Sequence, residues 1–269
     1  MSTLADYALH LADNALILGQ RNAEWCGHGP VLEEDLALAN HSLDLIGQAR
    51  LLYQWVAQLR GDGSTEDTLA YFRDPQAFLN FTLLELPHCT ALAPSARAER
   101  DYAVTIVRNF FFSSYMLLVW GVLQSHAQPQ LSAIAAKSIK EVRYHWQHAA
   151  DWLIRFGDGT PESHDRAQAA VDFLMPYTQE FWSEWPAAKE VLPDTAHLKN
   201  QWYEMVSDVI KEAGLQLPDA TGYVTQGVLG IHSEHMRICW PKCKVWPGNT
   251  PVRNGDRTND QPTAADGTH

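Results

Sequence analysis

The fold is decided by residues 32–63, LEEDLALANHSLDLIGQARLLYQWVAQLRGDG. Apolar side chains recur through this stretch at helical spacing, and Glu33, Glu34 and Asp35 lie at its start, where the positive end of a helix dipole favours acids. Gly61-Asp62-Gly63 ends it after Arg60. The same grammar returns in residues 129–159, PQLSAIAAKSIKEVRYHWQHAADWLIRFGDG, opened by Pro129 and closed by Gly157-Asp158-Gly159. Two long amphipathic helices of this kind need partners for their apolar stripes.

Working outward, Leu4, Tyr7, Ala8, Leu11, Ala15 and Leu18 fall three and four apart and predict a first helix before the break at Gly27, Gly29 and Pro30. Asp74-Pro75 offers a cap followed by proline at the first helical position, and Phe78, Leu79 and Leu83 predict a helix running toward Pro87. Residues 88–95 read as a loop, and Ala96 to about Ser125 as a long buried helix with Phe110, Met116, Leu117 and Trp120 in the core. Thr160-Pro161-Glu162 starts another helix, and Asp194 caps one over Thr195–Ala213, stopped by Gly214. A final apolar pattern begins near Tyr223. With no alternating β-branched run between hairpin turns and no fixed-period repeat, the expected fold is an all-α bundle of antiparallel helices around one core.

Composition narrows the partners. The 269 residues carry 20 basic and 32 acidic side chains, a formal charge of −12 that repels phosphate backbones, so no nucleic-acid partner is expected. Ten Trp, nine Tyr and nine Phe demand a folded core, and most of the tryptophans read as core or interface packing. The longest apolar run, Phe110 to Leu123, is interrupted by Ser113 and Ser114 and falls short of the roughly 20 residues of a membrane span, so no membrane partner is expected. The first ten residues have no basic or continuous apolar region, and only four cysteines occur. A cytoplasmic location is the expectation.

After Met236 the character changes. Trp240-Pro241, Trp246-Pro247-Gly248, Pro251 and the polar stretch from Asn254 to His269 do not continue a helix. The chain therefore divides into a helical domain, residues 1–236, and an irregular C-terminal tail, residues 237–269. One reading makes the tail functional, with Cys239 and Cys243 as a weak metal or disulfide pair; a second makes it disordered or a shifted reading frame, since codons for Arg237 to Asp256 can be chosen that spell an amphipathic helix in another frame.

A helical bundle invites a search for paired Glu-x-x-His motifs, in which residues three apart share a helix face and hold one metal between them. The positions exist here but the ligands do not: Leu45 stands three before Gln48, and Val142 three before His145. Leu and Val donate nothing to a hard metal ion. Asp44 and Glu141, each four residues before Gln48 and His145, are candidates for a metal-free polar network with them. His232, Glu234 and His235 form a second cluster, and on a helix His232 and His235 would share a face, as a metal site or as part of an interface. Lys137, Lys140 and Arg143 recur every three residues and suit an acidic partner, a CoA phosphate or a solvated helix face. No phosphate-binding glycine loop and no nucleophile elbow is present.

Several motifs in order resemble a known family. They are Asp13-Asn14, Gln20-Arg21 with EWCGH at 24–28, DLALAN at 35–40, LDLIGQAR at 43–50, EDTLA at 66–70 before Arg73-Asp74, AAKSIKEVRYH at 135–145 and GIHSEH at 230–235. The resemblance covers about residues 4–236 and is to the non-catalytic C subunits of the ring-1,2-phenylacetyl-CoA epoxidase (phenylacetate-CoA oxygenase) family. It implies a ferritin-like bundle with no catalytic residues and no cofactor of its own. It also implies pairing with a related catalytic A subunit that holds di-iron, with the other epoxidase components, in NADPH- and oxygen-dependent phenylacetate degradation, and only an indirect proximity to phenylacetyl-CoA. The alternative carried beside it is an independent metal-dependent helical-bundle oxidoreductase using Glu141, His145, His232 or His235.

Overall fold

Capping chemistry sets the helix limits in the computed structural model, which describes residues 3–90, 100–192, 194–222 and 224–236. Helices α1 (Thr3–Ala23), α2 (Leu32–Arg60), α3 (Glu66–Tyr71), α4 (Thr82–Glu85), α5 (Tyr102–Leu123), α6 (Pro129–Gly157), α7 (Pro161–Leu174), α8 (Pro186–Val191) and α9 (Thr195–Glu212) follow in order. Helix α2 ends where Gly61 takes a left-handed backbone, φ 60°, and returns its N–H to the Ala57 carbonyl. Thr160 caps α7 by accepting from the Ser163 N–H, and Asp194 caps α9 by accepting from that of His197. The described residues form an all-α bundle without named strands; Gln226 and Ile231 make an isolated bridge.

Four long helices make the centre. Helix α1 packs along α2 and α5 along α6, while α2 also meets α6. Each of these neighbours runs antiparallel: Asp13 meets Tyr53 while Gly19 lies at Ile46, Gln48 meets Glu141 while Glu34 meets His148, and Tyr102 lies against Trp152 while Gln124, just after α5, accepts from Ser132. A Cβ on Gly19 would lie 3.2 Å from Ile46 and 3.4 Å from Leu45, so glycine lets α1 and α2 approach closely. Helices α7 and α9 cover α5, and α8 covers α1. Helix α5 is long and apolar enough to cross a membrane by length and composition, contrary to the reading of its apolar run as too short. However, 78% of that window is buried inside the protein, so it is the core helix of the bundle. Trp120 and Trp202 are fully enclosed, and Trp25 and Trp55 nearly so.

Two expected helices are absent. The segment from Asp74 to Pro87 is a short 3-10 turn at Pro75–Ala77, an extended stretch and the single turn of α4; Asp74 makes no side-chain cap. Side chains of α1 have taken the backbone donors a helix would use: Asp13 accepts from the Leu79 N–H at 2.8 Å and Asn14 from that of Phe81 at 2.8 Å. The apolar pattern after 223 is likewise a 3-10 turn, Gly227–Leu229, because Glu180 accepts from the Val228 N–H at 3.0 Å and from the Thr225 hydroxyl at 2.7 Å. Helix α3 is an element that the periodicity does not mark, and α5 begins at Tyr102 rather than Ala96; residues 91–99 lie outside the described part, as does the tail 237–269 with Cys239 and Cys243.

Candidate functional site

Leu45 and Gln48 reach the bundle centre from α2, and Val142 and His145 from α6. All four are buried and line one small cavity with Leu11, Ala15 and Leu18 of α1 and Asn109, Phe112, Ser113, Met116 and Trp120 of α5. The cavity measures about 10 Å³, the size of a single water site at most. Sequence spacing thus located a genuine meeting point of four helices, and no carboxylate side chain lines it.

The acids lie just outside. The Gln48 side-chain amide donates to Glu141 at 2.9 Å, and Glu141 also faces Lys137 at 3.7 Å. Asp44 meets His145 Nε2 at 3.0 Å. Each carboxylate is therefore engaged with a side chain of its own helix or of the facing one, and satisfies a polar group that would otherwise be stranded near the core.

Residues that the sequence pattern does not single out for the site complete this region. His41 of α2 lies 4.2 Å, ring centre to ring centre, from His145 and 4.8 Å from His148, with Tyr144 edge-on at 5.6 Å. His148 Nε2 meets Glu34 at 2.8 Å, and Glu34 also accepts from the Tyr102 hydroxyl at 2.6 Å. Burial first, and then the neighbouring His145 and His148, push His41 down to about 2, so it is a neutral ring at ordinary pH. The signal was present as His41-x-x-Asp44 on α2 and His145-x-x-His148 on α6, both at helical spacing.

The cluster His232, Glu234 and His235 is not helical, so the expected shared face does not exist. His232 is held by Glu85 at 3.0 Å and by the Phe78 carbonyl at 2.9 Å; Glu234 is exposed, and His235 is buried. Burial alone would lower His232, but the hydrogen bond and charge of Glu85 outweigh it and raise the imidazole above its ordinary value. Glu141 and His145 line one region and His232 and His235 another, a groove with Thr82, Tyr177 and Thr225, so these four residues do not converge. Among the described residues no three His, Cys, Asp or Glu side chains are grouped so as to hold a metal ion.

A family model for phenylacetic acid catabolic proteins matches residues 1–247. The chain belongs to that family. It is 40% identical over 241 residues to the C subunit of 1,2-phenylacetyl-CoA epoxidase from Escherichia coli (strain K12), a match covering 88% of this chain and 92% of the relative. The family match runs past Met236, the point at which the composition changes. For this family member, the residues at the four-helix centre do not fit a di-iron cofactor. Such a centre takes several carboxylates with imidazoles, and here Leu45 and Val142 stand at the carboxylate positions of the two motifs.

Proposed function

We propose that this chain is the structural, non-catalytic subunit of a multicomponent 1,2-phenylacetyl-CoA epoxidase in the cytoplasm, pairing with a related catalytic subunit that carries the di-iron. The observation that carries this reading is the centre of the bundle. Leu45 and Val142 close it with hydrocarbon, and Gln48 and His145 are occupied by Glu141 and Asp44. What this chain contributes is a rigid core and a surface rather than a reacting group. The likeness to the E. coli epoxidase component supports the same reading.

The test combines this chain with the purified catalytic subunit and the reductase, and follows phenylacetyl-CoA-dependent oxygen consumption alongside complex formation. A stable complex is expected, with turnover that needs the catalytic subunit and is lost or strongly reduced when this chain is omitted. Turnover by this chain without the catalytic subunit, or failure of the two to associate, overturns the proposal.

A further inference from the structure

Helix α2 is apolar on two faces. One carries Leu38, Leu45, Leu52 and Val56 into the core. The other carries Leu32, Leu36, Ala39 and Leu43, at spacings of four, three and four, along a line pointing out of the bundle. Leu32 is 72% exposed, Leu36 57% and Leu43 68%, and Ala39 is half-buried; the line ends at Ile46, which packs on Gly19 of α1. A repeat of 3.5 residues on a helix already packed along its opposite side is the pattern by which a further helix docks at a shallow angle. Gly47 lies beside the stripe, and a Cβ there would meet nothing within 4 Å, which leaves a notch for a partner's side chain. On the adjoining helix α6, Tyr144 is 57% exposed and Lys137, Lys140 and Arg143 face solvent.

We infer that this face of α2 and α6 is the docking surface for the catalytic subunit. The Leu32–Leu43 stripe packs against a helix of that subunit, and Lys140 and Arg143 meet acidic groups beside it. The inference rests on the reading of the chain as an epoxidase subunit and says where that pairing occurs.

Charge favours a different protein over a second copy of this chain. Helices α2 and α6 meet between the Glu34–His148 and Gln48–Glu141 ties, so the exposed leucines and the basic side chains of α6 lie near one another there. Among the described residues Lys140 and Arg143 form no ion pair, so they form a basic edge on a strongly acidic chain and complement an acidic rim on the partner. A second copy of this chain would bring two bodies of charge −12 together.

The test mixes the purified catalytic subunit with the wild-type chain, with Leu36→Glu/Leu43→Glu, and with Leu229→Glu, an exposed apolar residue of the C-terminal segment, and reads the masses of the complexes by light scattering. The wild type and Leu229→Glu should pair equally well, and the double variant at least about 100-fold more weakly. Circular dichroism should show all three equally helical, since both replaced leucines of α2 are exposed. In the wild type, amide exchange in α2 and α6 should slow on complex formation; slowing confined to other helices overturns the inference. A double variant that pairs as tightly as the wild type overturns the docking face and leaves the proposed function standing. A wild type that does not pair with the catalytic subunit overturns the function itself. If the wild type dimerises through this stripe and both forms still bind the catalytic subunit, the face belongs to a second copy and the inference fails.

Discussion

Between α1, α2, α5 and α6 the walls are Ala15, Leu45, Phe112 and Val142 around a cavity of about 10 Å³, whereas beside them Asp13, Glu85 and Glu180 are almost completely enclosed. The enclosed acids are thoroughly bonded. Asp13 takes the Tyr53 hydroxyl at 2.6 Å, the Leu79 N–H at 2.8 Å and the guanidinium of Arg73. Glu85 takes the Ser233 N–H at 2.6 Å and His232, and Glu180 takes the N–H groups of Thr82 and Val228. A buried carboxylate survives where backbone donors and cations are fixed around it. At the bundle centre hydrocarbon is joined only by uncharged amide and hydroxyl groups and the ring of His145, and the acids Asp44 and Glu141 sit at its margin instead. In this protein Asp13 fastens the segment 78–88 to α1, Glu85 ties that segment to residues 232–233, and Glu180, in the 3-10 stretch Met175–Trp182, holds Thr82 and Val228; the enclosed acids do not gather at the centre.

The largest expected effect is at one of these fastenings. Asp13→Leu strands the buried Arg73 and the Leu79 N–H together and should cost about 3–5 kcal/mol, read as a fall in the urea midpoint. A loss under about 1 kcal/mol would erase the contrast between the two regions. Next, Leu45→Glu/Val142→Glu places two acids in the tight centre and should cost roughly 3 kcal/mol or more. Adding ferrous iron or manganese should not recover it; recovery of most of the loss would mean that the centre still cradles metal.

Smaller effects come from buried imidazoles. Burial lowers His10 to about 4, His88 to about 3 and His41 to about 2, so each is neutral in the fold. With folded values below the ordinary value of about 6.5, their contribution is fully present above that pH and is lost as pH falls toward the folded values, by about 1 kcal/mol per pH unit for each. Urea midpoints between about pH 7 and pH 5 should therefore drop steeply, and His41→Phe should make the slope shallower by one group's worth. An unchanged slope would show that His41 does not titrate on unfolding. The smallest change is Glu141→Gln, which keeps an acceptor for Gln48 and should move stability by less than about 1 kcal/mol.

Much of this was legible in the sequence wherever the cause is local. Pro129, Thr160-Pro161, Asp194 and the glycines after Arg60 and Ala213 mark helix ends because the capping atoms lie within a few residues. The segments after Asp74 and Tyr223 carry helical periodicity too, but their backbone donors are claimed by Asp13, Asn14 and Glu180, from tens of residues away, and periodicity does not register such competition. The site divides similarly. Leu45, Gln48, Val142 and His145 stood out because each pair shares a helix face. The contact of His41 with His145 and His148, and the ties of Glu34 to His148 and Tyr102, arise only when α2 meets α6 and α5.

The filled centre also governs what can diffuse into the subunit. A space of about 10 Å³ is far below the roughly 150 Å³ of an apolar cavity that takes up xenon, so gas should find no berth between α1, α2, α5 and α6. Crystals pressurised with xenon should leave that point empty. In the proposed complex, oxygen would then not be held back at the centre of this chain.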